Sequence, residues 1–471
     1  MKMIKMKKIL YPILALALVL QSCNPDDFLG IKPRGKDIPT KYKHYDGLMT
    51  AFEMIRWQLA GNRLFFPLLS DEYTLAEKNV PVLTQNAYTQ GVECFKYNPN
   101  FLLEDDVPYD WGYNSNMYAY NLIINNVLSC TDATEEQKLS TQSEARVNRA
   151  WILFRMAQIY LKPYNASYAA DTPGLPIIRE SSTMTESFER GTMKDLFDFI
   201  VTEMEESCKN IHNNTAYIFR TEKADAYTML GKVYHYMGNY EEALKNLRLA
   251  KQYAEESGAA IISDLNTVAD DKIPRDGVLH MNETQNMRDI WCPNYAIGYY
   301  SATAVPSLLV KEKYFNLFEE GDRRALRFSL HEGNHGAWDQ DTPMGVTSYN
   351  LYLVLAECEA RVGDQANAKA ALEHVRKFRM VPGKESVPAE INTKDKLIRY
   401  AFEEWLRENL GTGKFYFEMK RLWNDPLFQD LKADYKHEII GTNDVYPFTE
   451  AQLEMPIPKS VLKWNTNWVV E

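Results

Sequence analysis

The chain has 471 residues and a net charge of −11. This length is enough for one large domain or two of medium size. Binding to phosphate backbones requires clustered Lys and Arg, so the acidic balance argues against a nucleic-acid partner. The cysteines are widely spaced and include no C-x-x-C pair, which argues against a disulfide framework and a thiolate metal site. We expect buried free thiols at Cys94, Cys130, Cys208, Cys292 and Cys358.

The N-terminal residues have the pattern of a secretory signal. Four lysines between Lys2 and Lys8 precede an apolar run from Ile9 to Leu20. That run is too short to span a membrane, which takes about 20 residues, but it has the length of a signal-peptide core. Its ending, Leu20-Gln21-Ser22-Cys23, resembles a bacterial lipobox. We therefore expect residues 1–22 to be a lipoprotein signal peptide and Cys23 to carry the lipid that anchors the mature chain to a membrane.

Most of the remaining chain has helical patterns. Residues 144–160 place apolar side chains at the spacing of one helix face, and Pro163 is expected to end this helix. From Thr221 the sequence resembles a tetratricopeptide unit, which is a pair of antiparallel helices. The positions that carry this pattern are Leu230, Gly231, Tyr234, Gly238, Tyr240 and Ala243.

A degenerate second copy of the unit follows later in the chain. It comprises Leu355, Ala356, Gly363 and Ala368, with Glu359 where the first copy has Tyr234. Two separated copies do not form a regular solenoid. They indicate a mostly α protein in which a tetratricopeptide-like helical scaffold carries large inserted segments.

Two segments, residues 61–115 and 261–348, are rich in Pro, Gly and aromatic residues. Long irregular stretches in a compact protein are more often binding loops than spacers. We expect an N-terminal part over residues 23–260 and a C-terminal part over residues 261–471, each with one helical repeat, within one compact unit.

Catalytic signatures are weak. His331-Glu332-Gly333-Asn334-His335 matches the zinc-protease motif H-E-x-x-H, which requires a helix to bring both His to one face. Gly333 and Gly336 disfavour a helix, so we expect a surface loop. Gly411-Thr412-Gly413-Lys414 lacks the upstream glycine of a phosphate-binding loop. Acidic pairs such as Glu205-Glu206 and Glu403-Glu404 are interpreted as solvated helix faces.

A series of short motifs, in this order behind a lipobox, resembles the SusD/RagB family of outer-membrane nutrient-binding lipoproteins of Bacteroidota. The motifs are Asp27-Phe28-Leu29 and Lys32-Pro33; Trp111, Tyr118 and Asn125 or Asn126; Arg149-Ala150-Trp151 with Phe154-Arg155 and Tyr160; Asp322-Arg323-Arg324; Ala356-Glu357, Arg361 and Gly363; Val375-Arg376 and Arg379; and Met455-Pro456-Ile457-Pro458 with Asn465.

One further motif departs from the family. Glu404, Glu408, Gly413, Glu418 and Arg421 keep its register. Two positions that are commonly Arg in the family are Trp405 and Phe415 here, and Thr412 replaces an acid. These departures indicate a divergent branch.

The resemblance implies a SusD-like fold with four tetratricopeptide-like units supporting an irregular face. It also implies a binding protein without catalytic activity, cofactor or metal site. Such a protein captures nutrients as the lid of a SusC-like TonB-dependent barrel transporter. The expected location is the cell outer membrane, with the protein lipid-anchored and facing the medium.

An oligosaccharide ligand would be held by aromatic platforms and polar side chains. The candidates in the irregular segments are Trp57, Asp71, Tyr73, Trp111, Tyr113, Trp291, Asn294, Tyr295, Tyr299, Tyr300 and Trp338. The cluster from Trp291 to Tyr300 is the leading candidate. Three alternatives stay open at this point: an oligopeptide ligand, as RagB-like members imply, a zinc protease at His331 and His335, and a scaffolding protein that binds its partner but no small ligand.

Overall fold

The structure, a computed structural model, describes residues 39–50, 68–101, 117–181, 188–213, 220–258, 260–273, 295–297, 308–331, 334–336, 341–343 and 346–468. The α-helices in this part are α1 Tyr42–Met49, α2 Val80–Phe95, α3 Tyr118–Asn126, α4 Glu135–Tyr160, α5 Met193–Ser207, α6 Lys223–Tyr236, α7 Tyr240–Ser257, α8 Glu312–Phe315, α9 Ser348–Val362, α10 Gln365–Arg376, α11 Lys394–Asn409, α12 Phe415–Leu422, α13 Gln429–Ala433 and α14 Lys459–Leu462.

The strands are shorter than most of the helices. They are β1 Tyr73–Ala76, β2 Tyr295–Ile297, β3 Leu308–Val310, β4 Ser329–His331, β5 Asn334–Gly336, β6 Asp341–Pro343, β7 Lys436–Ile440 and β8 Val445–Pro447. The predicted mostly α class is therefore confirmed.

Helix α4 is a central element of the N-terminal half. It starts at Glu135, earlier than predicted, because Thr134 and Gln137 form a capping box. It ends at Tyr160, before Pro163, as predicted. From Ala145 onward it is buried on most sides and not only along one stripe, because α3, α5 and α6 all pack against it.

The pair α6 and α7 confirms the first repeat unit. Gly238 lies in the turn between them with a φ of +76°, which glycine adopts without strain. Gly231 permits the close approach of the two helices, because a methyl group at this position would lie 2.7 Å from Leu247 Cγ. The Oδ1 atom of Asn239 accepts a hydrogen bond from the Glu242 N–H and so caps α7.

The pair α9 and α10 confirms the second repeat unit, and it packs directly on the first through α7 and α9. Glu359, which replaces the tyrosine of the pattern, is buried in α9. Its carboxylate accepts two hydrogen bonds of 2.8 Å from Arg248 of α7. The substitution in the degenerate copy thus provides an ion pair between units that are far apart in the sequence.

Six strands of the described part form a mixed sheet in the order β4-β5-β3-β1-β7-β8. Strand β1 is antiparallel to β3, with Tyr73 opposite Val310, and parallel to β7, with Leu75 opposite Ile439. Strands β2 and β6 form a separate antiparallel pair. The larger sheet therefore joins three distant parts of the chain.

The predicted irregularity of residues 61–115 was wrong for residues 80–95, which form α2. Pro81 lies in the first turn of this helix. Its missing N–H removes no hydrogen bond there, because the first N–H groups of a helix have no intrahelical acceptor. The proline marks the start of a helix and not a loop.

The described residues share a hydrophobic core cluster that extends from Tyr45 to Trp468. Cys94, Cys130, Cys208 and Cys358 are buried free thiols, as expected. Cys292 and the predicted signal peptide lie outside the described residues, and the division at residues 260/261 stays a prediction. Among the helices described, none is long and apolar enough to cross a membrane.

Buried ion pairs connect the C-terminal helices through Glu404 of α11. Its carboxylate accepts hydrogen bonds from Arg324 and, at 3.0 and 2.8 Å, from Arg376 and Arg407. Burial alone would raise the pKa of Glu404, but the three guanidinium groups together lower it to about 2. The interpretation of Glu404 as part of a solvated face was wrong, because this side chain is fully buried.

Glu408, one turn later, extends the same network. It accepts hydrogen bonds from Arg379 at 2.9 to 3.1 Å and from Arg324 at 3.1 Å. Arg324 is also bound by Asp322 at 2.7 Å. Arg324 is fully buried, so its charge is balanced entirely by carboxylates inside the protein.

We expect Glu404→Gln to destabilise the protein by about 3 kcal/mol at pH 7, because three buried guanidinium groups lose a charged partner. The stabilisation from the ionised carboxylate is complete above the ordinary Glu value of 4.5 and is lost as the pH falls toward about 2. Urea unfolding followed by circular dichroism at pH 7 and pH 3.5 should therefore show a smaller difference from wild type at the lower pH.

Glu403→Gln is the matched control on the same helix. Burial raises the pKa of Glu403, so its charge does not stabilise the fold, and we expect a change within about 0.5 kcal/mol. Equal stability of the two variants at pH 7 would contradict the role assigned to Glu404.

Candidate ligand site

The segment before β1 fixes the centre of the larger sheet through Asp71. This side chain is fully buried. Its Oδ1 accepts from the Lys311 ammonium and, at 3.1 Å, from the Lys436 N–H. Its Oδ2 accepts from the Tyr314 hydroxyl and, at 2.7 Å, from Lys313. One carboxylate thus joins β1, the segment of α8 and β7.

The contacts of Asp71 limit how it can influence a ligand. Both of its oxygens are occupied by protein groups, so its influence on a ligand would pass through Lys311 and Lys313. Tyr73, the other predicted residue here, is also buried, and its hydroxyl donates to the Gly411 carbonyl. The structure places both residues beneath the surface of the sheet.

The loop Gly411-Thr412-Gly413-Lys414 binds an internal carboxylate. The Gly411 N–H donates to Glu72 Oε1 at 2.9 Å, and the Ser70 hydroxyl donates to Oε2 at 2.6 Å. Burial raises the pKa of Glu72 to about 7, although these hydrogen bonds act in the opposite direction. The glycine-rich loop therefore donates a hydrogen bond to a buried carboxylate of the protein itself, whereas a phosphate-binding loop would donate to a nucleotide.

A groove of about 490 Å³ lies on the outer face of the sheet, between α8 and β7. Alternate residues of β7 face it, because successive side chains of a strand point to opposite faces. Its walls are Thr74, Val310, Lys311, Glu312, Lys313, Phe315, Asn316, Asp434, Lys436, Glu438 and Ile440.

Ion pairs fix several charged groups of this groove. Lys313 is bound to Asp434 at 2.8 Å as well as to Asp71, and Lys436 is bound to Glu438 at 2.9 Å. Glu312 and Asn316 have no side-chain hydrogen bond to another described residue, so they can bind a polar ligand. Phe315 adds an aromatic ring beside them.

Most of the predicted aromatic residues lie outside the described residues. These are Trp57, Trp111, Tyr113, Trp291, Tyr299, Tyr300 and Trp338, together with Asn294 and the lipidation residue Cys23. Tyr295 is described through its backbone, in β2. It lies opposite Pro343 of β6, a strand that begins shortly after Trp338 in the sequence.

The pairing of β2 with β6 restricts where Tyr295 can lie relative to the larger sheet. The connection from Gly336 of β5 to Asp341 of β6 reaches about 18 Å at most when extended. The β2–β6 pair must therefore lie within that distance of the end of β5 in the larger sheet. Chain connectivity thus holds β2, which contains Tyr295, close to the larger sheet.

The described residues of the H-E-x-x-H motif, His331, Asn334 and His335, lie in β-strands. Residues 329–331 and 334–336 form β4 and β5, with His331 opposite Asn334 and His335 opposite Leu330. The predicted surface loop is therefore corrected to a strand pair. The helix that zinc-protease chemistry needs is not formed at these residues, which weakens the protease alternative.

Sequence reasoning missed the residues of the groove. Lys313, Phe315 and Asn316 are more than one hundred residues from Asp434 and Glu438, and no local pattern connects them. These residues come together because β1 pairs with both β3 and β7. A single sequence does not reveal those pairings.

Two family models match the chain. Residues 69–235 match a SusD-like family described as "Starch-binding associating with outer membrane", and residues 350–469 match the SusD/RagB model, described as the SusD family. No curated protein matches the chain.

Solved structures share the fold over nearly the whole chain. A SusD superfamily protein from Bacteroides thetaiotaomicron is 16% identical, with a TM-score of 0.66 and coverage of 91% of this chain and 98% of that one. A SusD superfamily protein from Bacteroides fragilis is 16% identical, with a TM-score of 0.65 and coverage of 92% and 99%. A putative sugar-binding protein from Bacteroides vulgatus is 17% identical, with a TM-score of 0.63 and coverage of 92% and 98%.

The family matches lie in both halves of the chain, and the fold agrees with them. Arg149, Arg155, Glu357, Arg376 and Arg379, which carried the resemblance in the sequence, all lie within the matched regions. The chain belongs to the SusD/RagB family.

Proposed function

We propose that this protein is a lipid-anchored outer-membrane protein that binds oligosaccharides at the cell surface and passes them to a SusC-type TonB-dependent transporter, over which it acts as a lid. No bond is made or broken. Family membership supports this proposal, since one matching model describes starch-binding proteins associated with the outer membrane. A structural relative is also named as a putative sugar-binding protein.

The observation that carries the proposal is the gathering of the irregular segments around one sheet. Strand β1 lies within the early irregular segment, β3 follows the residues from Trp291 to Tyr300, and β5 precedes Trp338. Rigid helices that carry such segments are a common arrangement for recognition. The aromatic residues of these segments offer stacking faces for sugar rings.

The groove between α8 and β7 offers a second set of sugar contacts. It combines one aromatic ring with carboxylate, amide and ammonium groups, which match the hydroxyl groups of a carbohydrate in hydrogen bonding. Its volume falls in the usual range of small-molecule sites. We propose that the aromatic cluster makes the first contacts with the ligand. The groove then binds a neighbouring part of the same ligand.

We expect the double variant Trp291→Ala/Tyr299→Ala to lose oligosaccharide binding by tenfold or more, because removing aromatic anchors of a binding site often costs about 2 kcal/mol or more. The measurement is native mass spectrometry of the full-length protein against a mixed oligosaccharide and oligopeptide library, followed by calorimetric titration of the bound sugar. Trp464→Ala is the control, since this tryptophan is 74% exposed and lies outside the predicted cluster.

The library separates the alternatives. An oligopeptide mass in place of a sugar would support the RagB-like function, and the double variant should then spare binding. Sugar binding that is equally strong in wild type and double variant would contradict the assigned cluster. Binding to a transporter without any small ligand would favour the scaffolding alternative.

We expect Cys23→Ala to move the protein from the membrane fraction to the supernatant, because the lipid anchor depends on this thiol. Cell fractionation with metabolic labelling by a radioactive fatty acid measures both effects. Cys130→Ala, which removes a buried free thiol, should keep both the label and the membrane association. Full labelling of Cys23→Ala would disprove lipidation at this residue.

A further inference from the structure

The groove between α8 and β7 has more carboxylates than ammonium groups. Its walls include three lysines and three acidic residues, and a fourth carboxylate, that of the buried Asp71, binds two of these lysines. The lysines are Lys311, Lys313 and Lys436, and the acids of the walls are Glu312, Asp434 and Glu438. The carboxylates therefore outnumber the lysines by one.

Asp71 and Asp434 balance the charges of two of the lysines. The Lys311 ammonium donates to Asp71 Oδ1. The Lys313 ammonium donates to Asp71 Oδ2 at 2.7 Å and to Asp434 Oδ2 at 2.8 Å. Asp71 is fully buried and Lys311 is buried as well, so packing holds this part of the wall in one arrangement.

Glu438 balances the charge of the third lysine from within β7. It lies two residues after Lys436, and side chains at this spacing share one face of a strand. The Lys436 ammonium lies 2.9 Å from Glu438 Oε1 and 3.9 Å from Asp434 Oδ1. Each of the three lysines in the described groove thus has a carboxylate partner already, and an anionic ligand would have to compete with that partner.

Glu312 is the acid that remains. It is the first residue of α8, and its carboxylate forms no ion pair or hydrogen bond with any residue that the structure describes. Phe315 and Asn316 follow it by three and four positions, a spacing that puts all three side chains on one face of a helical turn. All three line the groove. This wall therefore offers a carboxylate, an aromatic ring and an amide to a ligand.

The hydrogen-bonding groups of this wall are mainly acceptors. An ionised carboxylate such as Glu312 only accepts hydrogen bonds, whereas the Asn316 amide both accepts and donates. An ammonium group has three N–H donors and no acceptor, so it matches a free carboxylate in charge and in hydrogen bonding. An acetamido group brings one N–H donor and a carbonyl acceptor, and a uronic acid brings a second carboxylate. Among substituted sugars, an amino sugar therefore fits this wall best.

We propose that the groove selects oligosaccharides that carry a protonated amine, such as oligomers of glucosamine, and that the Glu312 carboxylate binds the ammonium group. The Phe315 ring packs against the apolar face of the same sugar ring, and the Asn316 amide binds a neighbouring hydroxyl group. This inference rests on the proposed sugar-binding function and names the class of sugar that the groove takes.

The test is calorimetric titration of the full-length protein at pH 6 with tetramers of glucosamine, N-acetylglucosamine and galacturonic acid. At this pH the amine of glucosamine carries its proton. We expect the Kd of the glucosamine tetramer to be about two- to fivefold lower than that of the N-acetylglucosamine tetramer, which is the usual size of an ion-pair effect near a protein surface. The galacturonic acid tetramer should bind most weakly, because Glu312 repels it and the lysines are already paired.

Glu312→Gln removes the charge of this side chain and keeps its size, so it should bring the Kd values of the glucosamine and N-acetylglucosamine tetramers together. Glu320→Gln is the matched control. It removes an acid that lies outside the groove, 3.4 Å from the Lys384 ammonium, and should keep the preference for the amine. Glu312 and Glu320 are both exposed, so we expect both variants to fold. Raising the sodium chloride concentration to 0.5 M should reduce the preference of the wild type.

The possible results separate this inference from the proposed function. Equal affinity of the wild type for the amine and acetamide tetramers, or a preference that Glu312→Gln retains, would overturn the inference and leave sugar binding intact. Tightest binding of the galacturonic acid tetramer would overturn it as well. Failure to bind any oligosaccharide of the mixed library would overturn the proposed function itself. A lysine-containing peptide bound in place of every sugar would overturn both.

Discussion

The buried carboxylates of α11 are the constraint on which the C-terminal half depends. Taking a charge out of water is costly unless partners surround it. Glu404 and Glu408 meet this requirement with arginines from α10, from α11 itself, from the segment after α10 and from the segment after α8. Any shift of one element would leave a charge unpaired, so the network fixes the relative positions of these elements as well as their packing.

The same logic recurs elsewhere in the molecule. Glu357 of α9 accepts hydrogen bonds from Arg361, from Arg421 of α12 and from His235 of α6. Asp71 joins the central strand to α8 and β7. Helical repeats supply the shape of the protein, and buried acids at their contacts determine how the separate pairs dock. The irregular segments are thereby attached to a rigid support.

Much of the helical scaffold could be predicted because its signals are local. The positions at which helices start and end are determined by residues next to those positions. Examples are Gly238 and Tyr240 at the turn between α6 and α7, and Pro163 after α4. The prediction around Pro81 was wrong because proline is common both in loops and in the first turn of a helix. The prediction for Glu404 was wrong because two of its three arginine partners come from other segments of the chain, which no local pattern reveals.

The candidate site was less predictable. Asp71 and Tyr73 were found as polar and aromatic residues in an irregular segment, but their burial depends on β3 and β7. The groove is formed by side chains from three distant segments, so its composition is visible only in the fold. The family motifs were more informative, since Arg324, Arg376 and Arg379 could be recognised before their carboxylate partners were known.

The parallel pairing of β1 with β7 has a consequence for the order of folding. Leu75 lies opposite Ile439, so the central strand of the sheet lacks one neighbour until almost the entire chain is present. Contacts of this sequence separation form slowly, whereas helix pairs such as α6 and α7 are local and form early. During synthesis β1 is therefore made long before β7, and the backbone groups of β1 on the side of β7 stay unpaired until β7 is present. An exposed strand of this kind is a template for wrong pairing, and a chain of this topology gains from a chaperone that covers it until the C-terminal residues arrive.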